Sequence, residues 1–174
     1  MAVSQSGVPV TVSVASGSAT LGGTLTVNTN SSGRATFSGL SLSGPTGAHT
    51  LRFSSPGLTE VVSATINLGA GAAAKLVILT EPPSTAKSGK DFSTDTEVRL
   101  VDASDNPVSR SGVTITASLN SGIGSLGGDR SENTNGSGIA RFDNLKITGV
   151  GTFTIRFSAT GLTSVVSTTI TVSP

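Results

Sequence analysis

The chain has no cysteine, no tryptophan and no tyrosine, and only one histidine and one methionine in 174 residues. Without cysteine there is no disulfide and no thiolate metal site. Without Trp or Tyr, and with only six Phe, the usual stacking platforms for sugars and nucleobases are missing. Charge is scarce as well. Charged residues make up 12% of the chain and the formal net charge is +1, so no strong field draws in nucleic acid or an anionic membrane. No apolar run is long enough to span a bilayer, and residues 1–7 have neither the basic nor the apolar region of a signal peptide. If the protein is exported, that information is expected elsewhere, which suggests a piece of something longer.

What is present is 22 Gly, abundant Ser and Thr, and regularly alternating β-branched residues, the composition of short strands and tight turns. The arrangement is repetitive. Asn28-Thr-Asn-Ser-Ser-Gly-Arg-Ala-Thr-Phe37 recurs as Asn133-Thr-Asn-Gly-Ser-Gly-Ile-Ala-Arg-Phe142. Each copy is a polar turn ending in a glycine suited to positive φ, Gly33 or Gly138, followed by an alternating Ala-x-Phe. The correspondence runs from Ser4 and Ser109 to Gly44 and Gly149. After the loss of one residue it continues from Gly47 and Gly151 to Leu68 and Val172, with 33 of 63 aligned pairs identical. Two tandem units follow from a register held that long.

Residues 75–174 read as a complete unit. Lys75-Leu-Val-Ile-Leu-Thr80 is the expected first strand, stopped by Glu81-Pro-Pro83. Val98–Ala103 is the second, closed by a turn at Ser104-Asp-Asn-Pro107. Val113, Ile115, Ala117 and Leu119 alternate with polar residues as the inward face of a third. Ser125–Gly128 is a small strand or turn, and Ile139–Ile147 a longer strand. Phe153, Ile155 and Phe157 line the next, and Leu162, Val166, Thr168, Ile170 and Val172 share a face of the last. In the longer strand the inward set changes parity between Phe142 and Leu145, as it does between Phe37 and Leu40, so a bulge or bend is expected near Asn144 and Gly39. Seven short strands suit an immunoglobulin-like sandwich.

The expected fold class is therefore all-β: tandem immunoglobulin-like β-sandwiches, the first lacking its two N-terminal strands. The divisions are a truncated repeat over 1–68, a Gly/Ala linker over 69–74 and a complete repeat over 75–174. The first unit begins at the third strand, with Val8, Val10, Val12 and Val14 in place of Val113, Ile115, Ala117 and Leu119. Its apolar inner faces should be uncovered and its sheet edges unpaired. Three resolutions remain open: a poorly ordered unit cut from a longer array, strands supplied by another copy, or repacking of the strands that remain.

Residues 74–84, 98–108, 135–142 and 151–157 together resemble bacterial Ig-like repeats of large surface proteins and of the stalks of invasin/intimin-type adhesins. The resemblance covers all of 74–174 and, in truncated form, 4–68. It implies an extracellular rod, spacer or adhesive module. Similar modules occur in some phage virion proteins and secreted polysaccharide-degrading enzymes. Gram-positive stalk domains can carry a Lys–Asn isopeptide bond, but no Asn or Asp lies between Leu162 and Pro174 to pair with Lys75.

No catalytic or cofactor-binding residues are assigned. His49 takes the inward position of Phe153 and reads as a core histidine whose protonation should loosen the first unit. Asp102, Asp105 and Asn106 are the candidate metal ligands, able to offer oxygens to calcium. The same spacing also makes an ordinary turn ended by Pro107. Asp129, Glu132 and Asn133 form a weaker oxygen cluster whose counterparts Thr24, Val27 and Asn28 carry no carboxylate. Arg52 and Arg156 should point outward, along the sheet or toward an anionic partner.

The leading functional expectation is a non-catalytic spacer in an exported surface protein, with neighbouring Ig-like domains as partners and neither nucleic acid nor membrane insertion. The alternatives are a self-assembling module that exchanges strands with another copy of itself, and a binding module for a glycan or host receptor. An enzyme is the last choice.

Overall fold

The computed structural model describes residues 4–174. It contains strands and no helix among those residues, and it divides into two compact units, Met1–Ala70 and Gly71–Pro174.

The first unit holds β1 (Pro9–Ser16), β2 (Thr20–Gly22), β3 (Thr26–Asn28), β4 (Ser41–Ser43), β5 (Gly47–Ser54), β6 (Val61–Val62) and β7 (Ile66–Leu68). One sheet has the order β3-β1-β5-β6, with β7 also on β5, and β2 pairs with β4. The second unit holds β8 (Lys75–Thr80), β9 (Thr85–Lys87), β10 (Thr96–Val101), β11 (Thr114–Ser121), β12 (Ser125–Gly127), β13 (Ser131–Asn133), β14 (Ile139–Phe142), β15 (Lys146–Thr148), β16 (Gly151–Ser158), β17 (Val165–Val166) and β18 (Ile170–Ser173). Its sheets are β14-β10-β8 and β13-β11-β16-β18-β9, with β17 on β16, and β12 pairs with β15.

The two units correspond strand for strand wherever both have a strand. The pairing of Val12 with Phe53 in β1 and β5 is repeated by Ala117 and Phe157 in β11 and β16. The ladder slips at the same place in both, between Val14 and Ser16 and between Leu119 and Ser121. Among the described residues, β8, β9, β10 and β14 have no strand counterpart in the first unit. The case of β14 is informative. Its counterpart, residues 34–37, has the same Ala-x-Phe alternation but no strand, because the pairing edge that β10 gives β14 has no equivalent there. A strand needs a partner for its backbone groups, whatever its side-chain pattern.

The repeated turns form as expected. Gly33 and Gly138 have φ of 72° and 74°. In each turn one asparagine oxygen accepts from two backbone N–H groups, those of Ser32 and Arg34 on Asn30 and those of Ser137 and Ile139 on Asn135.

Two expectations about strand continuity are corrected. The stretch Ile139–Ile147 is not one bent strand: β14 belongs to the sheet of β10, and β15 pairs with β12. The parity change at Asn144 marks the chain crossing between sheets, so each half aims its own alternate residues inward. The last stretch is also broken. Val166 and Thr168 are exposed, and Ser167 between them is buried. The Ser167 hydroxyl accepts from Ile155 N at 2.9 Å and donates to Thr168 O at 2.8 Å, standing in the ladder where a backbone carbonyl would otherwise be. Ser63 does the same with Leu51 N and Ala64 O.

Part of the Gly/Ala segment 69–74 is held by the second unit. Gly71 N donates to Asp102 Oδ2 at 2.8 Å, Ala74 N donates to Val101 O, and Ala73 packs on the second core.

The core of the second unit gathers Leu76, Phe92, Val98 and Leu100 from the β8–β10 region with Ile115, Phe142, Leu145, Ile147, Phe153, Ile155, Phe157, Ile170 and Val172. In the first unit the same positions are more open. Ala35, Phe37, Leu40, Leu42 and Phe53 are half-buried, whereas Ala140, Phe142, Leu145, Ile147 and Phe157 are buried. The aromatic pair survives nonetheless: Phe37 and Phe53 lie 5.4 Å apart between ring centroids, Phe142 and Phe157 5.2 Å.

Candidate functional site

The acidic turn after β10 is built around Asp102. Its Oδ1 accepts from the backbone N–H of Ser104 and of Asn106. Its Oδ2 accepts from Gly71 N and from Asn106 Nδ2. Asp105 sits at φ 65° and its carboxylate pairs with Lys75 Nζ at 2.8 Å. The three candidate ligands thus lie in one turn but do not converge. Asp102 is committed to N–H donors on both oxygens, and Asp105 reaches outward to a lysine. These donors, led by the Asn106 side chain and Gly71 N–H, hold the Asp102 carboxyl down from 3.8 to about 2, since each bond favours the charged form. The geometry makes a turn that clips Gly71 to the end of β10.

The second oxygen cluster is also dispersed. Asp129 is tied to Asn144, whose Oδ1 accepts from Asp129 N at 2.7 Å and whose Nδ2 donates to Asp129 Oδ2. Asn133 accepts from Thr114 Oγ1. Among the described residues, no three His, Cys, Asp or Glu side chains are grouped for a metal ion.

His49 is buried on β5, in the place of Phe153. Nε2 lies 3.1 Å from Pro45 O, and Nδ1 is buried without a hydrogen-bond partner among the described residues. Arg52 reaches Glu60 at 3.4 Å. Arg156 donates to Asn120 Oδ1 through Nε and Nη2. Both arginines therefore lie along their own sheets.

The first unit has an apolar groove of about 260 Å³ lined by Leu21, Leu40, Leu42, Leu51, Ile66 and Leu68. β2 supplies Leu21, β4 Leu42, β5 Leu51 and β7 Ile66 and Leu68, so four strands contribute to the groove. Ile66 is 37% exposed, but Ile170, its counterpart, is 0% exposed. Leu58 and Val61 are 66% and 64% exposed, whereas their counterparts Leu162 and Val165 pack on the second core. The same sequence pattern is covered in one unit and open in the other.

Sequence reasoning anticipated uncovered inner faces but not their position. It also missed the paired serines and paired threonines. Thr134 Oγ1 accepts from Val113 N and donates to Arg110 O, and Thr29 repeats this with Val8 and Gln5. The available signal was their identity at matching repeat positions.

Several solved structures are similar to this chain. The D0-D1 domain of intimin is 21% identical, covering 99% of this chain and 84% of that one, with a TM-score of 0.44. The Yersinia pseudotuberculosis adhesin InvE is 20% identical over 99% of this chain and 50% of its own, with a TM-score of 0.44. A glycosyl hydrolase family 2 member from Bacteroides cellulosilyticus is 16% identical over 75% of this chain and 18% of its own, with a TM-score of 0.48. Comparison with curated proteins finds no match. Residues 69–173 match the family model for SMCHD1 Ig-like domain 6. That span includes every strand of the second unit, and on it the chain belongs to the Ig-like domain family described as SMCHD1 Ig-like domain 6.

Proposed function

We propose that this chain is a non-catalytic structural segment of an exported bacterial surface protein, in which serial Ig-like units space or connect other parts. The first unit is, on this reading, a repeat without its two opening strands. The observation that carries the proposal is where the polar side chains go. Asp102, Thr134 and Ser167 are buried polar residues of the second unit whose side chains bond backbone groups in turns and ladder breaks, and buried Asn106 donates to Asp102. Thr29, Asn30 and Ser63 do the same work in the first unit. Chemistry is invested in holding a scaffold, and the scaffold is then repeated, as in proteins whose units act in series.

The surface setting is supported by the bacterial Ig-like sequence pattern quoted above. Small-angle scattering of the whole chain tests the spacer role. An extended two-body profile is expected, and a compact side-by-side pair overturns it. Localisation is tested by protease treatment of intact cells that express the parent gene: surface cleavage within these residues is expected, and full protection until lysis contradicts export.

A further inference from the structure

The turn that leads into β14 carries the chain's one Asn-Gly pair, Asn135-Gly136. Both residues are exposed. Asn135 Oδ1 accepts from Ser137 N at 2.9 Å and from Ile139 N at 3.1 Å, which fixes which side-chain atom is the oxygen. Neither the Gly136 N–H nor the Asn135 Nδ2 group has a hydrogen-bond partner among the described residues. Gly136 brings no Cβ, and nothing crowds the space where one would stand.

We propose that Asn135-Gly136 is a site of self-modification, at which Asn135 converts to isoaspartate and loosens the seam between β14 and β10. The Gly136 nitrogen gives up its proton to hydroxide and bonds to Asn135 Cγ. The two backbone N–H groups on Oδ1 stand where negative charge gathers in that step. The Cγ–Nδ2 bond breaks, and Nδ2 leaves as ammonia after taking a proton from water. Water then opens the cyclic imide at either of its bonds to nitrogen. Cleavage at Cγ gives aspartate. Cleavage at the main-chain carbonyl carbon gives isoaspartate, with the chain now running through Cβ and Cγ. An amide and water become a carboxylate and ammonium, so no oxidant or reductant takes part.

The two products act differently on the fold. Aspartate keeps an oxygen for Ser137 N and Ile139 N, and its charge strengthens both bonds. Isoaspartate lengthens the main chain by one carbon in a closely fitted turn. Asn135 N donates to Ile139 O and Gly138 N to Asn135 O. Gly138 lies so close to Val108 O that an added Cβ would overlap it, and Gly138 O accepts from Leu100 N on β10. The register of β14 on β10, from Thr96 with Phe142 to Arg99 with Ile139, begins directly after this turn. An extra carbon there shifts the register or breaks the turn. The first unit supplies the comparison. Asn30 Oδ1 accepts from Ser32 N and Arg34 N at the same 2.9 and 3.1 Å, but its successor is Ser31, whose Cβ hinders close approach of the nitrogen. The site is a property of the second unit and does not depend on the spacer role.

The test incubates the full chain at mildly alkaline pH and maps its peptides by mass spectrometry, with fragmentation that separates aspartate from isoaspartate. Asn135 is expected to convert about tenfold faster than Asn30, or more. Gly136→Ser, which copies the turn of the first unit, should bring Asn135 to the rate of Asn30. Conversion in the folded chain should be no slower than in the chain unfolded by urea. A fold that protects Asn135, or equal conversion at Asn135 and Asn30, overturns the proposal. The isoaspartate fraction, separated by chromatography, should unfold about 5 °C lower in its second unit and exchange the Leu100 amide faster. Asn135→Asp should match the parent in both measurements. An isoaspartate chain that melts with the parent overturns the loosening. So does an Asn135→Asp chain that melts as low as the isoaspartate fraction, because charge and not the lengthened main chain would then be the cause.

Discussion

Gly17 lies directly beneath the imidazole of His49, as Gly122 lies beneath the ring of Phe153: a Cβ added to either glycine would overlap the ring. Both glycines have positive φ, 89° and 102°. They follow the slip in the β1–β5 and β11–β16 ladders. The close approach seals the end of each strand pair with a flat side chain, and only glycine leaves room for it. Histidine at this place in the first unit keeps the flat shape but brings a polar nitrogen with it.

The stack predicts the outcome of two substitutions. His49→Phe should stabilise the first unit by about 1 kcal/mol, because it removes a buried Nδ1 that has no partner among the described residues while keeping a flat ring. Gly17→Ala should destabilise it, through overlap and through the positive φ. Denaturant unfolding followed by chemical shifts of the first unit checks both. A less stable His49→Phe chain would show that the imidazole is worth more than its shape.

The serine hydroxyl in the ladder gives a second prediction. Ser167→Ala leaves Ile155 N, a buried donor, without an acceptor, and should cost about 1–3 kcal/mol in the second unit. Ser63→Ala should cost the first unit less, since Ser63 is only half-buried. Ser164→Ala removes only a 3.5 Å contact to Arg156 and should leave the unfolding midpoint unchanged.

Asp102 makes the second unit acid-sensitive. Its folded carboxyl is held at about 2 against an ordinary 3.8. A depressed folded pKa contributes stability that is complete above the unfolded value and is lost as pH falls through the folded one. Stability should therefore drop as pH falls from 3.8 toward 2. Asp102→Asn should lower the midpoint at neutral pH and flatten that acid limb. Circular dichroism melts across this window measure it.

The same bonds predict indifference to calcium. Both Asp102 oxygens are engaged by N–H donors, so millimolar calcium or a chelator should leave the melting of the second unit where it is. A calcium-dependent midpoint would show that the turn opens to take the ion.

Equivalent core truncations should differ between the units. Leu145→Ala, at a position 1% exposed, should cost about 2–5 kcal/mol. Leu40→Ala, half-buried at the rim of the open groove, should cost less, because part of its surface already meets water. Equal losses would mean that the first unit is covered in solution.

Much of this was legible in the amino-acid order, for local reasons. Asn30 and Asn135 each bond N–H groups a few residues on, and Gly33 and Gly138 supply the positive φ that follows, so these turns are encoded within ten residues. The alternation at Ile115 and Ala117 named an inward face directly. The sheet crossing at Asn144 was visible only as a change of parity. Its cause was hidden, because parity does not say which sheet receives the next strand. The candidate calcium ligands were legible as a turn or as a site. Gly71 decided their geometry, and it lies far from Asp102 along the chain.

By itself the sequence determined an all-β chain of two related units, their turns and most of the side chains that face inward, since these follow from side-chain period and from turn chemistry within a few residues. The tertiary structure alone decided whether a given pattern became a strand and whether an inward residue became a buried one. Ala35 and Phe37 carry the same signal as Ala140 and Phe142, but only the second pair sits in a strand beneath cover. The backbone beside them has β10 to pair with, and their side chains have residues 75–101 above them.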